Sequence, residues 1–277
     1  MFGHVWFHHA PGPHHHAHPD NFAAKAAHGE PLDEFVIDVH SHPGVGGNFY
    51  WTRGDVDDMV RTMDSTGTDY ACFSAYVSIG PDFIDGNDLV ARAIKQHPRR
   101  VIGFAVPNPH YLALSLSDIR KRVGDQGFRG LKIHSVGHGY PIRGPNYVPI
   151  YEFADDNKLP ILSHTWDSPG TIATLAKQYP NITFIWAHAI WQHIRNPDLA
   201  VTIKDLPNVV IEMAGSGNRR GQIEDFVRVA GVEHVVFGSD YPVLSQIWQL
   251  GQVAHANLTA DEKLKIFSGN IRRVLGL

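Results

Sequence analysis

The sequence predicts a single (β/α)8 barrel from Phe35 to Leu277. Three observations predict it: eight short apolar runs recur along the chain, amphipathic segments separate them, and no break in composition interrupts the series after residue 35. The runs are close to continuously apolar, as strands covered on both faces require. A doubly wound open sheet is the competing architecture. It usually opens on a glycine-rich phosphate turn, and H-S-H-P-G-V-G-G after the first run does not have the G-x-G-x-x-G spacing.

The predicted strands, in order, are Phe35–His40, Tyr70–Ala75, Val101–Val106, Phe128–His134, Leu159–His164, Ile182–His188, Val209–Ala214 and His234–Asp240. Each is short, and most are rich in β-branched residues. Helices are predicted between them from stripes of apolar side chains at helical spacing. Asp55–Thr66 aligns Val56, Val60 and Met63, and Asn87–Gln96 aligns Val90, Ala93 and Ile94. Ser117–Asp125 carries Ile119 and Val123, Thr171–Gln178 carries Ile172 and Leu175, and Gly221–Val229 carries Ile223, Phe226 and Val227. Gly67, Gly127 and Gly231 fall where helices should stop. Thr259 followed by Glu262 has the spacing of a capping box.

Residues 1–34 read differently. Seven of the 19 histidines fall in M-F-G-H-V-W-F-H-H-A-P-G-P-H-H-H-A-H-P, interleaved with proline and glycine. Such a tract can bind metal loosely, but composition favours a flexible leader outside the barrel. It lacks the basic start and apolar segment of a signal peptide. A short helix from Asp20 to Ala27, capped by Asp20, is expected within it.

Composition excludes several function classes. The net charge of −4 and pI near 6.5 give no basic field for nucleic acid. Cys72 is the only cysteine, so neither a disulfide framework nor a thiolate zinc cluster is available, and a reducing, cytoplasmic setting is expected. No apolar run is long enough to span a membrane. A small-molecule substrate is the expected partner, and a homo-oligomer is compatible with the composition.

The stretch V-I-D-V-H-S-H, Val36 to His42, opens the functional reading. Strand alternation places i and i+2 on one face, so His40 and His42 are expected side by side with Asp38 below them. In a barrel the C-terminal ends of all strands surround one mouth, where active sites lie. His134, His164 and His188 end the fourth, fifth and sixth predicted strands, and Asp240 ends the eighth in F-G-S-D-Y-P. Five of the eleven histidines after residue 35 therefore gather at strand ends, which uniform placement would not produce. Imidazole and carboxylate donors suit zinc and related divalent metals. A catalytic zinc keeps a position for water, whose pKa it lowers to about 7. The loops after the strands add Trp51 and Arg53, then Tyr140 and Arg143, then Trp166 and Trp191 as candidate substrate contacts. Lys132 stands two residues before His134, so both are expected to face inward.

D-V-H-S-H, G-L-K-I-H, I-L-S-H-T, F-I-W-A-H-A and F-G-S-D-Y-P, in this order, resemble the amidohydrolase superfamily. More narrowly they resemble its amidohydrolase-related branch, which includes aminocarboxymuconate-semialdehyde decarboxylase and several lactone hydrolases. The resemblance implies that His40, His42, His164 and Asp240 hold one divalent metal, with zinc first and manganese, iron or cobalt sharing these ligand types. It further implies that His188 acts on the metal's water, with Asp240 able to move a proton. Binuclear relatives carboxylate a strand-4 lysine to bridge two metals, whereas the K-x-H pattern at Lys132 and His134 goes with one metal or none in this branch, so a lysine facing substrate or serving structure is expected ahead of a bridging one. Metal-dependent deoxyribonucleases share the first motif but carry a strand-4 glutamate that F-R-G-L-K-I-H lacks. The first functional expectation is metal-dependent hydrolysis of a lactone, amide or ester. Non-oxidative decarboxylation of an unsaturated or aromatic acid is the alternative, and a non-catalytic binding barrel is the third.

Overall fold

The computed structural model describes residues 21–46, 49–51, 53–193 and 198–277. Its sheet runs β1 (Ile37–Ser41), β2 (Tyr70–Phe73), β3 (Val101–Ala105), β4 (Gly130–Ile133), β5 (Ile161–Ser163), β6 (Phe184–Trp186), β7 (Val209–Glu212) and β8 (Val235–Val236), in sequence order. Every neighbouring pair is parallel. The seam between β8 and β1 is joined by Val39 N–H to Phe237 O at 3.1 Å, Asp240 N–H to His40 O at 2.7 Å and His42 N–H to Tyr241 O at 2.8 Å. These bonds leave no free sheet edge at the mouth, and the architecture is the (β/α)8 barrel that the alternation predicts.

Seven of the eight observed strands lie within the predicted runs, trimmed because the closing residues of those runs turn into the loops, and β1 runs one residue further than predicted, to Ser41. The predicted helices form at Val56–Thr66, Phe83–Gln96, Leu112–Asp125, Pro169–Gln178 and Gln222–Ala230, the second and third starting earlier than their stripes, and Val148–Asp156, Leu199–Ile203 and Gln246–Ala254 are helices beyond those predicted. Asp55 caps the first of these by accepting from Asp58 N–H. Gly67 ends it at φ 76°, a left-handed conformation that disfavours a Cβ. The Thr259–Glu262 capping box is formed.

Alternation sorts the core into two layers. Ile37, Val39, Cys72, Phe104, Leu162, Ile185, Val210 and Val236 fill the barrel, and Ile271 and Leu275 pack with them. The larger layer lies between strands and helices. At about 25 cal/mol per Å², burial of such side chains is the main favourable contribution to folding.

Packing begins before residue 34. The helix Asn21–His28 buries Phe22 with its ring 5.6 Å from that of Phe267, and Leu32 N–H bonds Thr66 O at 3.2 Å. Phe22 and Leu32 anchor the stretch in the core, with Ala26 packed beside them, so these residues join the barrel's outer layer. The His-rich tract and the Asp20 cap lie outside the described residues.

Candidate active site and metal centre

The β1–β2 register is interrupted between Asp38 and Ser41. Ile37 and Val39 pack inside the barrel, so strict alternation would turn His40 outward. The irregularity resets the parity, as a bulge does, and brings His40 and His42 together over the inward side of β4. Asp38 does not share that face. It accepts from Ser239 N–H at 2.9 Å, Gln246 Nε2 at 2.8 Å and Ser41 Oγ at 3.0 Å, and it also binds the Ser239 hydroxyl. Asp38 therefore pins the seam and does not sit beneath the histidines; strand alternation misplaced it because the sequence does not reveal the irregularity.

The ring nitrogens converge. His40 Nε2 and His42 Nε2 stand 3.0 Å apart, and Asp240 Oδ1 lies 3.5 and 3.1 Å from them. His42 Nδ1 is 2.7 Å from Ser74 O, an acceptor only, so Nδ1 carries the proton and Nε2 presents a lone pair. Lys132 Nζ lies 2.8 Å from His40 Nε2. An ammonium only donates, so this nitrogen also presents a lone pair, and His40 Nδ1–H faces Glu212 Oε2 at 3.0 Å. Two lone pairs and a carboxylate oxygen directed at one point repel one another without a cation beside them, a part the Lys132 ammonium takes at His40 Nε2 and a metal ion could take in its stead. His40, His42 and Asp240 thus fit a divalent metal, and all three are buried.

His164 stands beside this group. Its ring centroid is 4.9 Å from that of His188 and 4.2 Å from the nearly parallel ring of His134. His164 is in neither of the two groups of converging donors, His40–His42–Asp240 and His40–His188–Glu212. His188 Nδ1 faces Ala214 O at 3.1 Å, which leaves its Nε2 as the basic atom, 4.0 Å from Asp240 Oδ2. His188 and Asp240 both hold left-handed backbones, at φ 59° and 56°, conformations uncommon for non-glycine residues and typical of constrained functional positions.

Burial lowers the pKa of His40, His134, His164 and His188. His40 is held well below its usual range by desolvation and then by Lys132 and its histidine neighbours. His134 is pushed down to about 2 and His164 to about 3, both chiefly by desolvation. Lys132 is lowered to about 8 by burial, against the fields of Asp240 and Glu212. Burial acts to raise Asp240, but its interactions with His42, His188 and Lys132 outweigh it and hold the carboxyl below its usual value. These shifts favour neutral rings at His40, His134, His164 and His188 and an ionised carboxylate at Asp240, the protonation state that ligation requires.

Glu212 was not apparent as a site residue in the sequence. It ends β7, is fully buried, and binds His40 as well as the N–H of His188, at 3.1 Å. Burial pushes it up to about 8, against the N–H bonds of Ala214 and His188; a cation beyond His40 would act in the same sense as those bonds. A charged residue inside the apolar run V-V-I-E-M-A was the available signal.

The expected substrate contacts separate. Lys132 is buried at the metal donors. His134 Nδ1 accepts Gly137 N–H at 2.8 Å, so its proton resides on Nε2, making it a donor. Trp51, Arg53 and Tyr50 line, with Tyr241 and Pro242, a surface groove of about 290 Å³ next to Asp240 in sequence. Trp51 stacks edge-on to Tyr76, whose ring in turn meets His42. Arg143 is exposed. Tyr140 accepts Asn146 N–H and packs on His110 and Tyr147, supporting its own loop. Trp191 is half-exposed against Gly215 and Gly217, where a Cβ would collide with it. Trp166 contradicts the expectation. It is 0% exposed, its Nε1–H bonds Ile185 O, and its ring packs on Phe184 and Tyr151. Two residues past the inward His164, the chain has already turned, and the indole faces the helical layer.

Fold and site together define a (β/α)8-barrel enzyme with a histidine–aspartate cluster at its mouth, able to hold a divalent metal. The chain belongs to the amidohydrolase family, which it matches over residues 13–277. It is 25% identical over 84 residues to 2-amino-3-carboxymuconate-6-semialdehyde decarboxylase of Dictyostelium discoideum; that match spans 30% of this chain and 23% of the relative's length. The fold is similar to 5-carboxyvanillate decarboxylase of Novosphingobium aromaticivorans, solved with manganese and 4-hydroxy-3-methoxy-5-nitrobenzoic acid (TM-score 0.73, 15% identity, covering 90% of this chain and 99% of that one). It is also similar to 4-oxalomesaconate hydratase of Rhodopseudomonas palustris (TM-score 0.67, 19% identity, covering 87% and 95%). No helix among the described residues is long and apolar enough to cross a membrane.

Proposed function

We propose that this enzyme is a metal-dependent non-oxidative decarboxylase of a small unsaturated or aromatic carboxylic acid. The observation that carries the reading is the meeting, at one mouth, of a lone-pair cluster with two donors, the Lys132 ammonium and the His134 Nε2–H. The first suits a cation and the second pair suits a carboxylate. The curated relative and the fold neighbour with a bound benzoate analogue support the same reading.

His40, His42 and Asp240 would hold the cation, with His164 beside them. A bound divalent ion would orient the acid and offset negative charge developing on it. Nitrogen donors favour zinc; the same set accommodates manganese. Lys132 and His134 hold substrate oxygens. The carbon–carboxyl bond breaks, its electron pair stays on carbon and carbon dioxide leaves; His188 Nε2, having taken a proton from water, passes it to that carbon. Arg53 and Trp51 guide the substrate from the adjacent groove.

Hydrolysis of a lactone, amide or ester is the second reading, and one observation favours it. His188, anchored at Ala214 with its basic nitrogen 4.0 Å from Asp240, has the placement of a general base for water. The discriminating experiment screens unsaturated and aromatic acids for carbon dioxide release in D2O, alongside lactones, amides and esters. Release with one deuterium placed at the vacated carbon is expected; hydrolysis without any carbon dioxide release overturns the proposal. Metal analysis of the same preparation, with the His-rich tract removed, identifies the ion.

A further inference from the structure

We infer that Glu212 is the positioning residue of the centre, holding a metal donor and the catalytic histidine with one carboxylate. The inference rests on the metal-centre reading but not on which reaction the centre performs.

Glu212 stands behind His40, outside the His40–His42–Asp240 donors; it also converges with His40 and His188, but His40 Nδ1 is turned to its carboxylate and His188 Nδ1 to Ala214 O, so that group is held together by hydrogen bonds. His40 Nε2 faces His42, Asp240 and Lys132, whereas His40 Nδ1 faces Glu212 Oε2 at 3.0 Å. The imidazole therefore separates the carboxylate from the point where the lone pairs converge. The same Oε2 accepts the N–H of His188 at 3.1 Å, and Oε1 binds the N–H of Ala214. Ala214 in turn offers its carbonyl to His188 Nδ1. One carboxylate thus fixes the protonated nitrogen of His40, and it anchors the backbone of His188 at the residue whose φ is 59°. Three N–H donors on two oxygens hold the carboxylate itself in place.

The chain packs closely on Glu212 from the β8 side as well. A Cβ on Gly238 would fall 2.5 Å from Glu212 Cγ, so Gly238, two residues before Asp240, is a close approach made for this side chain. Glu212 therefore touches the elements that carry His40, His188 and Asp240. A carboxylate bonded to the far nitrogen of a ligating histidine fixes ring orientation and raises ligand basicity, and its loss typically lowers metal affinity 10–100-fold.

The test is Glu212→Gln, with Asp118→Asn as a control. The amide has one oxygen for three N–H donors, and in either orientation the negative charge behind His40 is gone. Asp118 is also a buried carboxylate, bonded to Arg122 and Asn87, but far in sequence from the centre. Zinc affinity, measured by chelator competition, should fall by about 10–100-fold in Glu212→Gln and stay at the wild-type value in Asp118→Asn. In zinc-loaded protein labelled with 15N histidine, the His40 Nδ1–H proton should resonate downfield, as a carboxylate-bonded proton does, and move upfield in Glu212→Gln. Unchanged affinity together with an unmoved resonance overturns the inference. Should Glu212→Gln not fold, the wild-type spectrum decides alone: a His40 that carries no proton on Nδ1 overturns the inference, and a downfield Nδ1–H supports it.

Discussion

Lys132 Nζ lies 2.8 Å from Nε2 of His40, the nitrogen that also faces His42 and Asp240. That nitrogen has one lone pair, which can accept a proton bond from Lys132 or serve a metal, but not both at once. Metal loading therefore frees the lysine, at the place where a substrate carboxylate is proposed to bind. Lys132→Met should keep or improve zinc affinity while KM for the acid substrate rises by about 10–100-fold, the worth of a charge-assisted hydrogen bond of about 1.5–3 kcal/mol. Chelator competition and steady-state kinetics check both halves. Loss of metal from Lys132→Met would make the lysine part of the centre's support.

Trp166 belongs to the outer core, not the mouth. Trp166→Ala should cost about 3–5 kcal/mol of unfolding free energy by denaturant titration, through lost packing on Phe184 and Tyr151. KM of the folded variant should stay near wild type. A variant with unchanged stability and a raised KM would return Trp166 to the substrate site.

How much was legible follows from these residues. Strand and helix order could be read because apolar runs and helical stripes are local signals. His40, His42, His164, His188 and Asp240 could be placed at one mouth because strand ends in a barrel converge by topology. The face of Asp38 could not be read, since the register change after it depends on pairing with β2 and on Ser239 and Gln246, which are distant in sequence. The inward turn of a loop aromatic is equally invisible: Trp51 and Trp166 both follow a site strand, yet only Trp51 reaches the groove. Glu212 looked like the end of an ordinary strand because its partners lie on β1 and beyond β6.

His138, in the loop after β4, gives the pH dependence. Burial pushes its pKa down to about 4, from an ordinary 6.5. The folded state therefore favours the neutral ring, and the unfolded chain takes up the proton first as pH falls. Its contribution is complete above pH 6.5 and is lost progressively toward pH 4. At pH 5.5 the loss is about 1.4 kcal/mol from this residue. His134 and His164, also lowered, add to it in the metal-free protein. His138→Gln should flatten the fall in urea-unfolding free energy between pH 7.5 and 5.5 by about that amount, and an unchanged fall would assign acid sensitivity to other groups.

The remaining test separates the histidine that acts from the histidines that hold. His188 keeps its basic nitrogen 4.0 Å from Asp240, while His40 and His42 direct their lone pairs at a common point with the same carboxylate. Its backbone at φ 59° disfavours alanine, so His188→Asn is the better probe: asparagine tolerates the left-handed region and leaves the loop intact. Proton transfer by a placed side chain is worth about 10²–10⁴ in rate. His188→Asn should retain the metal and lose kcat by about that factor. His42→Ala removes one of the three converging donors, so metal and activity should disappear together. His164→Ala, whose ring stands beside the cluster, should weaken metal retention by less than His42→Ala does. Metal content and kcat measured on all three variants separate the roles. A metal-free His188→Asn would make His188 a ligand, and one with wild-type kcat would leave the proton to another group.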